Sequence, residues 1–162
     1  MLLGRLVDAL YTLRAVGTKL SRSGERVRQM LAKIRRKADA AASRAGNDFP
    51  LFEEREMLRA VFEACGCVDL DALSSMRPSV ADLCTLEQLV FFCGRGGRIV
   101  NNAGVRYLFR DQRSGLEALA RCASFAPSEV ESTSATLGGT SGEMFRRQCV
   151  RARARAMRGR RG

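Results

Sequence analysis

Two short runs of β-branched and aromatic residues interrupt an otherwise helical pattern. Of all the features of the sequence, these two runs constrain the possible fold most. The runs are RIVN at 98–101 and VRYLF at 105–109, and residues of these types favour strands. The Asn-Ala-Gly sequence between them (102–104) can supply the positive φ angles of a tight hairpin turn. The sequence therefore predicts one β-hairpin in a mainly α-helical chain.

Amphipathic helices are predicted on both sides of this hairpin. Apolar residues recur at helical spacing from Leu51, and Gly66 is placed to end that first helix. Asp69 can cap the next helix after the short link CVD. The predicted helices cover 51–66, 70–76 and 79–93 before the hairpin and 114–125 after it.

The order helix, link, helix, turn, helix, hairpin resembles the winged-helix (winged helix-turn-helix) family over about residues 50–110. The segments that carry the resemblance are LDALSSM, RPS, VADLCTLEQLVFFC and GRIVNNAGVRYLF. It implies a winged-helix domain in which 79–93 is the recognition helix and 98–109 the wing. In DNA-binding members, the recognition helix enters the major groove and the wing contacts phosphates or the minor groove.

The implied recognition helix is a poor base reader. There is no Lys or Arg between Arg77 and Arg95, so the usual arginine contact to guanine is unavailable. Its exposed face would offer only Ser79, Asp82, Thr85 and Gln88. The wing is richer in cations, and it is predicted to contact phosphates, stacked bases or an acidic protein. The residues predicted to make these contacts are Arg95, Arg98, Arg106, Tyr107 and Arg110.

The net charge of +11 is concentrated in the two ends of the chain. Residues 1–48 hold eleven Lys/Arg and four Asp/Glu, residues 49–126 nine and ten, and residues 127–162 eight and three. An anionic partner would therefore meet the two basic flanks first. The predicted divisions are a basic helical segment (1–46), a winged-helix-like domain (50–126), a Ser/Thr/Gly linker (127–142) and an Arg-rich tail (143–162).

The N-terminal segment keeps a heptad register of apolar or small residues. Gly17 and Gly24 lie on its seam, and SRSG at 21–24 reads as a helix break with Ser23 as a cap. Two interpretations fit this pattern equally: a bent coiled-coil helix that forms a homo-oligomer, and a pair of helices packed on the protein's own core. A third interpretation is an amphipathic membrane helix at 2–20. The candidate oligomerisation residues are Leu3, Leu6, Leu10, Leu13, Leu20, Val27, Leu31 and Ile34.

Both flanks offer further candidates for binding nucleic acid. The basic run of the second N-terminal helix contributes Arg35, Arg36 and Lys37. The tail is expected to be disordered alone and to order against an anion, with a nuclear-localisation signal or a contact to acidic lipid as alternatives. Its candidate residues are Arg146, Arg147, Arg151, Arg153, Arg155 and Arg158.

The six cysteines and the lack of histidine limit the chemistry of the chain. Without histidine, the common acid–base triads are excluded, and GRGGR at 94–98 lacks the ending of a phosphate-binding loop. Reduced cysteines in the core are the preferred interpretation, and a zinc site of Cys65, Cys67, Cys84 and Cys93 is the alternative. No cofactor, metal or transmembrane span is predicted, and a reducing intracellular compartment is expected, including the nucleus if the source is eukaryotic or viral.

These features predict a non-enzymatic protein with a regulatory or accessory role. It would bind DNA or RNA mainly through backbone contacts from arginines of the wing and flanks. The alternative is an adaptor whose winged helix binds a protein, while the basic ends contact acidic protein or membrane surfaces.

Overall fold

The computed structural model describes residues 13–78, 85–93 and 97–159. This part is mainly α-helical, as predicted, and contains one small antiparallel sheet of three strands. The helices are α1 (Leu13–Lys19), α2 (Gly24–Ala45), α3 (Phe52–Cys65), α4 (Leu70–Met76), α5 (Leu86–Cys93), α6 (Gln112–Ser124), α7 (Pro127–Leu137) and α8 (Gly139–Gly159). The strands are β1 (Cys67–Asp69), β2 (Arg98–Asn102) and β3 (Val105–Phe109), and a 3-10 turn covers Gly46–Asp48.

The helix break at 21–24 is confirmed. The Ser23 side chain accepts a hydrogen bond from the backbone N–H of Arg26 and caps α2. A Cβ atom on Gly17 would lie 2.4 Å from the carbonyl oxygen of Arg22, so glycine lets the chain turn tightly between α1 and α2. The two helices pack on each other, and this arrangement favours the helix pair over one continuous helix.

The segment around Gly66 has the predicted caps and one element that the sequence did not reveal. Gly66 has a φ of 79° and ends α3, and the Asp69 side chain accepts a hydrogen bond from the N–H of Ala72 at the start of α4. The predicted link CVD is instead the strand β1, which pairs with β3 from Cys67 opposite Phe109. Three residues are too few for a strand pattern to be recognised, so only pairing with β3 identifies them.

The hairpin is confirmed. Strands β2 and β3 pair from Arg98 opposite Phe109 to Asn102 opposite Val105. Ala103 and Gly104, with φ values of 51° and 77°, form the two-residue turn, as a type I′ connection requires. Strand β3 lies at the centre of the sheet, whose order is β1-β3-β2.

The prediction of one continuous helix over 79–93 is wrong, because Thr85 is not helical. Helix α5 begins at Leu86, and Thr85 and Gln88 cap it reciprocally. The N–H of Gln88 donates to Thr85 Oγ1 at 3.2 Å, and the N–H of Thr85 donates to Gln88 Oε1 at 2.9 Å. This capping box defines a helix start, and residues 79–84 lie outside the described part of the chain.

The predicted flexible linker and disordered tail are also wrong, because both form helices that pack on the domain. Helix α7 has Pro127 at its first turn, and Glu129 accepts a hydrogen bond from the N–H of Ala126. Helix α8 buries Met144, Phe145 and Cys149. One core therefore runs from α3 through the sheet, α6 and α7 to α8. Its fully buried side chains include Val61, Leu70, Leu89, Phe109 and Phe145.

Candidate nucleic-acid interface

Arg106, a predicted phosphate contact of the wing, is held by a carboxylate of the same chain. Its Nε and Nη2 atoms donate to Asp71 Oδ1 at 2.9 and 2.7 Å, and its backbone N–H donates to Asp71 Oδ2 at 2.9 Å. Burial raises the pKa of Asp71, but the hydrogen bonds from Arg106 outweigh it and lower this pKa below its usual value. Arg106 therefore joins β3 to α4, and two of its five guanidinium N–H donors are used within the protein.

A second carboxylate, Asp69, is fully buried and holds two arginines of α8. Asp69 Oδ2 accepts from Arg151 Nε at 2.9 Å and from Arg155 Nη1 at 3.2 Å. The backbone N–H of Asp69 donates to Gln148 Oε1 at 2.8 Å. These contacts join α8 to β1, so Arg151 and Arg155 stabilise the fold rather than standing free in a tail.

Tyr107 does not have the exposed ring that base stacking needs. It is 1% exposed, its ring stacks on Phe109, and its hydroxyl contacts Arg155. Burial raises the pKa of Tyr107. The prediction that Tyr107 stacks on nucleic acid is therefore wrong, because the ring lies on the central strand β3 and is covered by Phe109 and Arg155.

The other arginines of α8 lie nearer the surface and differ in their partners. Arg146 contacts Glu131 and Glu143, Arg147 contacts Glu143, and Arg153 donates to the carbonyl of Phe125. Arg158 is exposed, and no partner for it is found within the described ranges. Exposed ion pairs such as those of Arg146 and Arg147 contribute about 0.2–1 kcal/mol each, so these two cations can exchange partners.

The wing retains two exposed cations, Arg98 and Arg110, for which the described segments provide no ion pair within contact distance. Hydrogen bonding lowers the pKa of Asp111, and the charge of Arg98 helps to lower it. The Arg110 guanidinium lies 6.0 Å from the centre of the Phe62 ring. Arg95 lies outside the described residues, and so do Ser79 and Asp82 of the predicted recognition face. Since Thr85 and Gln88 cap α5, the two described members of that face already have a structural role.

Helix α2 carries a row of exposed cations that the sequence-based site only partly contained. We call Arg26, Lys33, Lys37 and Arg44 the α2 cation row; all four are exposed. Their spacing of seven, four and seven residues places them along one side of a helix. The spacing was readable from the sequence, but the predicted site followed the consecutive run Arg35, Arg36 and Lys37 instead.

The acidic residues of α2 do not neutralise this row. Glu25 pairs with Arg28, and Asp39 pairs with Arg55 of α3. Arg35 points away from the row, because its Nε donates to the carbonyl of Phe91 at 3.2 Å and its guanidinium lies 4.9 Å from the centre of that ring. Arg35 thus attaches α2 to α5, and Arg36 is exposed beside the row.

The candidate oligomerisation residues are divided between surface and interior. Leu13 and Leu20 are about 40% exposed, Val27 is buried, and Leu31 and Ile34 are half-buried. Leu3, Leu6 and Leu10 lie outside the described residues. Homo-oligomerisation therefore stays a prediction.

Four cysteines from four different elements meet in the core as free thiols. They are Cys65, Cys67, Cys122 and Cys149, and the Sγ atoms of Cys67 and Cys122 lie 3.9 Å apart. Hydrogen bonding to Cys122 and burial raise the pKa of Cys65 and Cys67, and raise that of Cys149 to about 12. Because a raised pKa keeps a thiol protonated, Cys65, Cys67 and Cys149 are poor nucleophiles and poor metal ligands at neutral pH.

The alternative zinc set is not assembled by the described residues. Cys84 lies outside them, and Cys65 and Cys67 meet Cys122 and Cys149 instead. Within the described ranges, no group of three or more Cys, Asp or Glu residues is arranged to hold a metal ion.

The Asp71–Arg106 pair is expected to make stability depend on pH. Because the native pKa of Asp71 is lowered, its stabilising effect is present above the unfolded-state pKa of about 3.9 and is lost as pH falls through the native pKa. Asp71→Asn should cost about 1 kcal/mol at pH 7, and the difference from wild type should shrink in acid. Urea unfolding at both pH values measures it, and an equal cost at both would contradict the charged pair.

The chain matches no family model, no curated protein and no solved structure in comparisons with known proteins. None of the described helices combines the length and the apolar character needed to cross a bilayer.

Proposed function

We propose that this protein binds the backbone of DNA or RNA through the α2 cation row, with Arg36 beside it and Arg98 of the hairpin as a further contact. The observation that carries the proposal is the row itself. It presents four exposed cations on one side of a helix whose carboxylates face other partners. Such a row of cations suits the phosphates of a nucleic-acid backbone, which it can contact whatever the base sequence.

The dimensions of the row fit a nucleic-acid backbone. Arg26 and Arg44 are eighteen residues apart on one continuous helix, which corresponds to roughly 27 Å at the rise of an α-helix. Successive phosphates of one strand project onto the duplex axis at about 3.4 Å. A row of this length therefore spans several phosphates.

The element order supports a winged-helix domain formed by α3 to β3, with the α2 cation row on the helix that precedes it. The order α3, β1, α4, α5, β2, β3 ends in the hairpin, and the sheet order is β1-β3-β2. Helix α5 then corresponds to the recognition helix and β2–β3 to the wing. The contact from Arg35 to Phe91 attaches α2 to α5, and Arg98 follows α5 in the chain. Phosphate contacts from α2 and the wing would thus flank α5.

Weak base selectivity follows from the same contacts. The side chains of Thr85 and Gln88 are used in capping α5, and Arg106 and Arg155 are held by Asp71 and Asp69. The cations that remain for a ligand contact phosphates, which position a protein on nucleic acid without reading its sequence.

Replacing two cations of the row is expected to weaken binding and its dependence on salt. For the double variant Lys33→Gln/Lys37→Gln, the slope of log Kobs against log salt should be shallower by about 2, close to 0.9 per lost contact on duplex DNA. Affinity at low salt should fall roughly 10- to 100-fold. Fluorescence anisotropy with labelled DNA and RNA oligonucleotides measures both quantities.

The matched control removes the same charge elsewhere. Arg59 and Arg113 are exposed on α3 and α6 and pair with Glu56 and Glu117, so Arg59→Gln/Arg113→Gln should leave the slope close to that of wild type. Equal losses in both double variants would show that only net charge matters. If the wild-type protein binds neither oligonucleotide at low salt, the proposed function is wrong.

A further inference from the structure

A second exposed surface follows the outer side of α8, and it is apolar as well as basic. Val150 and Met157 are 60% and 59% exposed. They are seven residues apart, so they lie on the same side of the helix, with the exposed Ala154 between them. Contiguous apolar surface with a polar rim is typical of a contact site for another molecule.

A groove adjoins this surface between α4 and α8. Its volume is about 310 Å³, and it is lined by Ala72, Ser75, Arg146, Arg147, Val150 and Arg151. We call it the α8 groove. Ala72 and Val150 are apolar, and the aliphatic stems of arginines add to such a lining. The volume lies at the low end for small-molecule sites, so the groove suits one or two apolar side chains of a larger partner.

The rim of the groove selects for negative charge. Residues 144–159 contain six arginines and no acidic residue. Arg151 is held in place through Nε by the buried Asp69, while its side chain stays 38% exposed. Among the residues that the structure describes, no hydrogen bond of its Nη1 and Nη2 groups is found, although its charge also helps to lower the pKa of Asp71. A cation fixed before binding loses little freedom when it meets a carboxylate.

Two neighbouring arginines can change partners at small cost. Arg147 contacts Glu143 at 2.7 Å, and Arg146 contacts Glu143 and Glu131 at 3.3 and 3.2 Å. The side chains of both arginines are at least 45% exposed. Because exposed ion pairs are weak, a partner's carboxylates can replace Glu143 and Glu131 as acceptors.

We propose that the α8 groove binds an acidic amphipathic helix of another protein. An apolar side chain of that helix enters the groove beside Val150, and flanking Asp or Glu side chains pair with Arg147 and Arg151. Helix-in-groove binding uses apolar anchors of this kind. A nucleic acid would leave Val150 and Met157 exposed, since its backbone offers phosphates and sugars. The proposal is independent of the nucleic-acid function, because no cation of α2 takes part.

The test uses the full chain and a defined peptide. The probe is a fluorescein-labelled helical peptide of about four turns, with leucines at i, i+3, i+4 and i+7 spacing and glutamates elsewhere. Anisotropy should show binding to the wild-type protein at low salt. Val150→Glu should weaken it at least about tenfold, because it removes an apolar contact and adds repulsion. Arg147→Gln should weaken it by a smaller factor.

Leu116→Glu is the matched control, since Leu116 is 42% exposed on α6, outside the groove lining. It should bind the peptide as wild type does. Failure of the wild-type protein to bind the peptide would overturn the proposal. So would equal binding of a peptide with glutamine in place of glutamate, or full displacement of the peptide by duplex DNA. In the last case the groove would belong to the nucleic-acid surface.

Discussion

Asp69→Ala is expected to lower the free energy of unfolding by about 3–5 kcal/mol, the range found when one partner of a buried ion pair is removed. Asp69 is 0% exposed and accepts hydrogen bonds from Arg151, Arg155 and the N–H of Ala72. The variant leaves two guanidinium groups without their carboxylate and α4 without its cap. The partial exposure of Arg151 and Arg155 lets water reach them, so the lower half of this range is expected.

Two further variants separate the causes of this loss. Asp48→Ala removes an exposed carboxylate near the start of α3 and should change stability by no more than about 0.5 kcal/mol. Asp69→Asn keeps an oxygen that can accept from Ala72 while it removes the charge, so its cost reports mainly the two arginines. Urea unfolding followed by circular dichroism gives all three values. If Asp69→Ala costs no more than Asp48→Ala, the ion pairs do not hold α8 on the sheet.

The local signals of this fold were readable from the sequence. Ser23, Gly66 and Asp69 cap or end helices as predicted, because capping depends on a few adjacent residues. The hairpin was readable for the same reason, since its turn and flanking strands lie within twelve residues. Strand β1 was not, because its pairing partner is about forty residues away.

The tail was misread because its partners are distant in sequence. Arg151 and Arg155 resemble free cations of a basic segment, yet Asp69, which holds them, is 82 and 86 residues away. The Ser/Thr/Gly composition of 127–142 is typical of linkers, but Gly142 permits close packing instead. A Cβ atom there would lie 2.2 Å from the carbonyl oxygen of Ser134.

Only part of the candidate site can be found from the sequence. A row at helical spacing such as Lys33, Lys37 and Arg44 follows from periodicity alone. The removal of Arg35 from that surface depends on its contact with Phe91, 56 residues away. Composition therefore indicates that a chain is basic, whereas tertiary pairing decides which cations remain for a ligand.

Phe145→Ala is expected to lower the free energy of unfolding by about 3–5 kcal/mol, as large-to-small changes of buried aromatic residues do. Phe145 is 0% exposed, and its ring lies 5.7 Å from that of Phe125. The cavity would open where α8 packs against α3, α6 and α7. Denaturant unfolding measures the loss, and a disordered tail would instead give no change.

Val150→Ala is the control on the same helix, because Val150 is 60% exposed and its truncation should cost no more than about 0.5 kcal/mol. Equal stability of the two variants would contradict the packing of α8. Because α8 supplies Met144, Phe145, Cys149 and Ala152 to the core, deleting residues after 142 would remove more than a domain of marginal stability can lose. Binding by the arginines of α8 must therefore be tested with surface substitutions in the full chain, since a truncated protein would lose affinity by unfolding.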